Sequence, residues 1–363
     1  MKRVERAWRR ALTRALGAVL RPEPEPPWDR AELRRIAVLR LDRRLGNQVI
    51  LFPMLEALAR ACPAAEIEVL APAPYHQAYE GLPGVARVVR FERSAPLSAD
   101  GWRRLRQLRA RRYDLVIEAG HHHSFSLSGA LLTRLLGGRL RMGFRRGESA
   151  RFLNVLVDAP PASEVGRARV FFELARRVDP AARFAPPRWA VSPAERAGAA
   201  ALRAGLGLAG PALGVHPGGR GGRRWPRERF EAVARALAAR GLQPVVFLGG
   251  AEREQAPAWR AAAGPAWRVV EAPPLREFAA LVETLSLWVS GDTGPLHVAA
   301  ALGVPSVGVL LQPESLEALE EGPRYRAVYR VGEGPAVEDV VAASGEVLAA
   351  AESGGTGRSA GWT

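Results

Sequence analysis

Leu285-Ser-Leu-Trp-Val-Ser-Gly-Asp-Thr-Gly-Pro-Leu-His297, running on as Val298-Ala-Ala-Ala-Leu-Gly-Val304, packs several structural signals into one stretch. The apolar residues Leu285, Leu287, Trp288 and Val289 read as a buried strand. The strand ends at small polar residues. Pro295 then suits the first turn of a helix, where its missing N–H would have had no partner. Strand, polar turn and helix N-terminus in that order leave unpaired backbone N–H groups and the positive end of a helix dipole at a strand's carboxyl edge. Such a corner attracts phosphate. Asp292, Thr293 and His297 are the side chains able to reach what the phosphate is attached to.

A second segment repeats the pattern. Leu213-Gly-Val-His-Pro-Gly-Gly-Arg220 leads through Gly221-Gly-Arg-Arg-Trp-Pro226 into a helical stretch, Arg227–Arg240. Glycines let a backbone approach a ligand closely. Arg223 and Arg224 supply guanidinium forks suited to a diphosphate. His216 and Gly218 lie at the strand end. Taken singly, either segment is also what a plain turn or a solvated basic loop would look like.

Outward from these two segments, short apolar strands alternate with helices. The first half gives strands at Ile36–Leu41, Glu66–Leu70, Ala86–Phe91, Leu115–Glu118 and Met142–Phe144, with helices such as Val49–Ala61, Trp102–Arg111 and Ser163–Val178. The second half gives Ala212–His216, Pro244–Leu248, Arg268–Val270, Leu287–Ser290 and Ser306–Leu310, with helices at Leu275–Thr284 and Val337–Ala351. The alternation predicts α/β units built on mostly parallel sheets. The proline-rich stretch 179–187 separates them. The expected division is a basic helix and spacer over 1–28, a first Rossmann-like domain over 29–180, a second over 190–351, and a loose tail over 352–363. No internal sequence repeat is evident. Two doubly wound domains would face each other across a cleft, with ligands at the carboxyl ends of their strands.

Composition sets limits. A chain of 363 residues, 48% hydrophobic and 25% charged, is long enough for two domains with real cores. Cys62 is the only cysteine, so no internal disulfide forms and a reducing, cytoplasmic setting fits. Net charge is +15, almost wholly from arginine, which favours anionic partners. No zinc-ligand spacing, RNA-binding aromatic signature or basic recognition helix points to nucleic acid. Residues 1–21 carry Lys2, Arg3, Arg6, Arg9, Arg10, Arg14 and Arg21 against Glu5, with Val4, Trp8, Leu12, Leu16 and Val19 at helical spacing. That reads as a basic amphipathic helix suited to an anionic membrane surface. It lacks the apolar core of a signal peptide. No stretch reaches the ~20 apolar residues needed to span a bilayer.

Both glycine turns, in this order and spacing, resemble glycosyltransferase family 9, the lipopolysaccharide heptosyltransferases. The opening stretch Ile36-Ala-Val-Leu-Arg-Leu-Asp-Arg-Arg-Leu-Gly-Asn-Gln-Val-Ile50, with Pro53 and Leu55-Glu-Ala-Leu58, resembles the family's first strand, glycine loop and helix. The likeness runs from about Arg34 to about Leu348. It implies the GT-B architecture and an inverting transfer of a sugar from a nucleotide-diphosphate donor, ADP-linked for heptose, to a saccharide or glycolipid hydroxyl. It implies no cofactor and no metal. His121-His-His123 is the one cluster that could suggest a metal, and its spacing matches no standard site.

The resemblance also assigns residues. Arg223 takes the place of a family lysine, and with Arg224, Thr293 and Gly294 it would meet the diphosphate. His216, Gly218, Asp292 and His297 would hold the nucleoside and sugar. By their place at the first-half strand ends, rather than by any family motif, Glu118, His121 and His122 fall on the acceptor side with Gly46, the histidines also reading as a plain solvent-exposed loop. One departure stands out: the family's Gly-Asp, whose carboxylate is its proposed base, is here Gly46-Asn47. An amide accepts no proton at neutral pH, so Asn47 can only position a hydroxyl. Asp42 is the substitute base, with Glu118 and the histidines next. The competing readings are a catalytically impaired nucleotide-sugar-binding protein and a sugar-nucleotide epimerase, because fold does not fix function.

Overall fold

A computed structural model describes residues 20–353, apart from 220, 264 and 265, and leaves the side chains of Leu97, Arg223 and Ala263 undescribed. The expected amphipathic helix over 1–21 and the tail over 354–363 therefore fall almost wholly outside the described residues.

The chain forms two units. One comprises residues up to Arg44 and Ile50–Ala185. The other comprises Pro186 onward together with the short segment Leu45–Val49. The division at Ala185/Pro186 lies inside the proline-rich stretch. That Leu45–Val49 groups with the second unit is a departure from a simple first-half, second-half split.

The first unit carries a six-stranded, all-parallel sheet: β1 (Arg35–Leu39), β2 (Glu66–Ala71), β3 (Val85–Arg90), β4 (Leu115–Glu118), β5 (Leu140–Phe144) and β6 (Val155–Val157), in the order β3-β2-β1-β4-β5-β6. The central strands are buried on both faces, as strands of a parallel sheet covered by helices must be. Ile36, Ala37 and Val38 have no exposed surface. Ala37, Leu39, Leu70 and Val116 pack under Leu105 and Leu108 of helix Ala99–Arg109 and Leu132 and Leu136 of helix Leu127–Leu136. The spacer before β1 is pinned to this unit, Glu23 pairing with both Arg134 and Arg141.

The second unit repeats the plan with β7 (Ala212–His216), β8 (Gln243–Leu248), β9 (Arg268–Glu271), β10 (Leu287–Gly291), β11 (Ser306–Leu310) and β12 (Tyr325–Tyr329), in the order β12-β11-β10-β7-β8-β9. Counted from its own first strand, this is the same order as the first unit. Its core joins Leu213, Val215, Val246, Leu287, Val289 and Val307 to Phe230, Val233 and Leu237 of helix Arg227–Ala238 and Val340 and Val347 of helix Val337–Ser353.

The alternation read from the sequence is present, with corrections at its edges. β6 is only three residues long, and β12 is interrupted by Arg326; neither showed as an apolar run. The expected helix Val49–Ala61 is two pieces, Leu45–Val49 and Phe52–Ala61. The expected helix Ser163–Val178 breaks at Gly166, whose φ of 75° is left-handed and suits glycine.

Candidate functional site

In a doubly wound sheet the strand order reverses where two neighbouring strands send their chains to opposite sides, and the crevice outside their carboxyl ends is where ligands bind. The second unit reverses between β7 and β10, which pair directly with Ser290 opposite His216. Both glycine turns identified from the sequence leave from these two strand ends, so the structure brings them together at one edge.

The turn after β7 is folded tightly on itself. His216 is buried, and its Nδ1–H donates to the carbonyl of Phe247 at 2.8 Å. Burial pushes this imidazole below its usual value, the Phe247 carbonyl and Glu252 opposing less strongly, so the ring is neutral and its Nε2 lone pair faces Gly218. A Cβ at Gly218 would sit 2.2 Å from that Nε2, which requires glycine there. Trp225 anchors the far side of the loop, edge-on to Phe230 with centroids 4.9 Å apart. Arg224 is exposed, its Nε donating to the carbonyl of Gly219 at 3.3 Å. Arg223, the position matched to the family's lysine, has no described side chain.

After β10, Asp292 accepts from Ser315 Oγ at 2.6 Å. Ser315 drew no notice in the sequence, being a lone serine far along the chain. Thr293 caps helix Gly294–Ala301 in an extended conformation, and its hydroxyl caps nothing. Thr293 Oγ1 is shielded from solvent, with no hydrogen-bond partner among the described residues. Buried polar groups are ordinarily paired, so this hydroxyl beside open helix N–H groups is a donor suited to a bound anion or water.

Helix Leu45–Val49 packs directly on this helix. A Cβ at Gly294 would come within 2.6 Å of Leu45 Cβ, and a Cβ at Gly46 within 2.5 Å of His297 Cδ2. The two glycines permit the contact, and Gly46 covers the buried ring of His297. Gly46, expected on the acceptor side, and Asn47 beside it therefore belong structurally with the Thr293–His297 turn.

The first unit reverses between β1 and β4, and the remaining candidates lie there. Arg40, at the end of β1 and fully buried, forms an ion pair with Asp42, its Nε 2.7 Å from the carboxylate. Its Nη1 reaches the carbonyls of Ala119 and Gly120 beyond β4, and its guanidinium lies 4.5 Å from the centroid of Phe171. One arginine thus ties both sides of the reversal. Asp42, the substitute base, is held in this buried ion pair rather than presented freely. Glu118 is likewise buried and paired with Arg146. Burial pushes the Glu118 carboxyl up, and Arg146 and Arg40 pull it back. His121 and His122 follow, both lowered to about 4, chiefly by burial and then by Arg40 and His123 respectively. Their rings are neutral near pH 7. His122 stands edge-on to Phe144 and Phe171.

Arg40 and Arg146 were not anticipated. An arginine closing an apolar strand run was the available signal for Arg40, whereas nothing local marked Arg146. Among the described residues no three of His, Cys, Asp and Glu form a set that could hold a metal ion.

A model of glycosyltransferase family 9 (heptosyltransferase) matches residues 102–314, more than half of the chain. The chain belongs to glycosyltransferase family 9. Solved structures share its fold. A family 9 glycosyltransferase from Veillonella parvula is 19% identical with a TM-score of 0.74, covering 89% of this chain and 99% of its own. The E. coli ADP-heptose lipopolysaccharide heptosyltransferase II is 22% identical with a TM-score of 0.71, covering 88% and 99%. E. coli heptosyltransferase WaaC, solved with ADP, is 21% identical with a TM-score of 0.66, covering 84% and 97%. No curated protein sequence matches the chain. The two six-stranded parallel sheets flanked by helices are the GT-B architecture of these family 9 structures.

Proposed function

We propose that this family 9 protein transfers a sugar, with inversion, from a nucleotide-diphosphate donor to a hydroxyl of a saccharide or glycolipid. The observation that carries the reading is the orphaned Thr293 hydroxyl at a helix N-terminus, beside the glycine turn of the adjacent strand. The diphosphate leaving group needs fixed donors aimed at its developing charge, and each such donor is worth roughly 3 kcal/mol of barrier. Thr293 Oγ1, the N–H groups opening helix Gly294–Ala301, and Arg223 and Arg224 fill that role without a metal. The ADP carried by a solved heptosyltransferase supports an adenine nucleotide, and the family's description supports heptose. Asp292, bridged to Ser315, is suited to ribose or sugar hydroxyls. The neutral His216 braces its turn.

On the acceptor side, Asp42 takes the proton in place of the amide Asn47. The ion pair with Arg40 fixes the position of its carboxylate. The neutral His121 and His122 line the same strand ends, where they can hydrogen-bond sugar hydroxyls. The acceptor's lipid and the basic charge of residues 1–21 fit a cytoplasmic protein working against an anionic membrane surface. Among the described residues no helix is long and apolar enough to cross a membrane.

The test is nucleoside diphosphate release from ADP-heptose and other nucleotide sugars, with and without saccharide acceptors. Acceptor-dependent ADP release is expected. Donor binding with no release under any acceptor would instead leave a binding protein, and a changed sugar without acceptor would mean an epimerase. Asp42→Asn, which keeps an oxygen for Arg40, should lower turnover at least about tenfold while nucleotide affinity stays near wild type, since general-base help is worth ~10²–10⁴-fold. Unchanged turnover would remove Asp42 from the mechanism.

A further inference from the structure

At the opposite end of the first unit's sheet, where strands begin, an open pocket of about 660 Å³ is lined by Arg106, Arg109, Arg112, Tyr113, Asp114 and Arg139. Four arginines around one cavity ask for an explanation, and the ordinary one is partial. Arginines near helix C-termini offset the dipole, and this pocket sits where helices Ala99–Arg109 and Leu127–Leu136 end. Arg109 serves that purpose, donating to the carbonyl of Leu135 at 3.0 Å. Arg139 pairs with Glu32 at 3.1 Å. Asp114 turns one oxygen away to the backbone N–H groups of Arg34 and Arg35, at 2.8 and 2.9 Å. That leaves Arg106 and Arg112, both exposed, with no side-chain partner among the described residues. Arg112 also holds a left-handed φ of 54°, a conformation that glycine adopts without strain and arginine does not.

We propose that this arginine pocket binds a phosphoryl group, with Arg106 and Arg112 as its two forks and Arg109 and Arg139 completing a positive wall. Planar guanidinium groups match phosphate oxygens two at a time, and Arg is chosen over a point charge where that geometry counts. The negative features, two helix ends of about half a charge each, Glu32 on Arg139 and the tied-down Asp114, do not cancel four guanidinium charges. The phosphoryl group has two sources, an anionic phospholipid headgroup or a soluble phosphate. Trp102, 41% exposed one turn before Arg106, favours the headgroup, since tryptophan settles at the membrane–water boundary. The site is separate from the strand ends that carry sugar transfer, so its test does not depend on activity.

The experiment compares the full-length protein with Arg106→Gln/Arg112→Gln and with a charge-matched control on the same helix, Arg103→Gln/Arg104→Gln. Circular dichroism confirms folding of each. One arm measures co-sedimentation with vesicles of phosphatidylglycerol and phosphatidylcholine at about 0.15 M salt, where longer-range attraction is screened. The other titrates inorganic phosphate by calorimetry. In the vesicle arm the pocket variant is expected to bind roughly thirtyfold more weakly, and the control clearly less affected. A pocket-dependent loss confined to the phosphate arm supports the pocket and assigns it a soluble ligand. Equal losses in both variants, or no loss in either arm, overturns the proposal.

Discussion

The carboxyl ends of β1 and β4 and those of β7 and β10 occupy the same place in two sheets of the same strand order, yet they are furnished in opposite ways. The β7/β10 edge is built from glycine, a neutral imidazole, the Ser315-bridged Asp292 and a hydroxyl with no partner among the described residues, with backbone N–H groups and the exposed Arg224 for positive charge. The β1/β4 edge is built from the charge pairs Arg40–Asp42 and Glu118–Arg146, with two histidines that burial keeps neutral. The first suits a ligand that brings its own negative charge. The second holds carboxylates in place, and under the proposed function it would orient and deprotonate a hydroxyl. One topology thus offers two chemistries, set by which residues fill the turn rather than by the sheet.

The sharpest way to break this comparison is to unbalance the charged edge. Arg40→Met leaves Asp42 without its guanidinium in a site that is almost closed to water. Breaking a buried pair from one side costs about 3–5 kcal/mol. We expect a loss of that size in denaturant unfolding, and a much smaller loss for the double variant Arg40→Met/Asp42→Leu. Equal losses would mean that Arg40 acts by packing on Phe171 and bridging to Ala119, and that the pair is incidental.

Smaller effects are expected at the β7/β10 edge. Gly46→Ala puts a methyl group 2.5 Å from His297 Cδ2. Overpacking of this kind costs about 1–3 kcal/mol. Melting and nucleotide binding should fall together, because the shift displaces the turn that Gly294 begins. Thr293→Val should separate the two. It removes a hydroxyl that has no partner among the described residues, so stability should hold or rise. ADP affinity should drop about tenfold or more, the worth of a hydrogen bond to a charged group. A clear loss of stability with ADP affinity intact would show that Thr293 serves the fold and not the ligand.

Much of this was legible beforehand, for reasons that differ between the edges. Leu287–Gly291 and Gly294–Ala301 announce themselves because strand, turn and proline-opened helix are consecutive in the chain. His216 and Gly218 are similarly local. The β1/β4 edge is assembled from distant positions: Arg40 meets Ala119, and Glu118 meets Arg146. No spacing rule reaches across such gaps. The likeness of the two units was hidden too, since strand order is a property of pairing and leaves no repeat in the residues. Packing alone shows what Gly46 is for in the fold: glycine reads as a flexible turn in sequence, whereas here its missing side chain makes room for a histidine ring.

The smallest effect tests the neutral histidines. His121 and His122 titrate near 4 when folded and near 6.5 when unfolded. Between those values the unfolded chain binds more protons than the folded one, so stability rises with pH across this window. The contribution is whole above about 6.5 and is lost progressively as pH falls toward 4. Both rings are partly exposed, so the effect is screened and will be modest. Melting temperature should decline from pH 7 to pH 5, and the decline should flatten in His121→Gln/His122→Gln, which removes both titrating groups and keeps a polar side chain. An undiminished slope in that variant would assign the acid sensitivity to other groups. It would also remove the histidines from the contrast between the two edges, leaving that contrast to rest on the ion pairs alone.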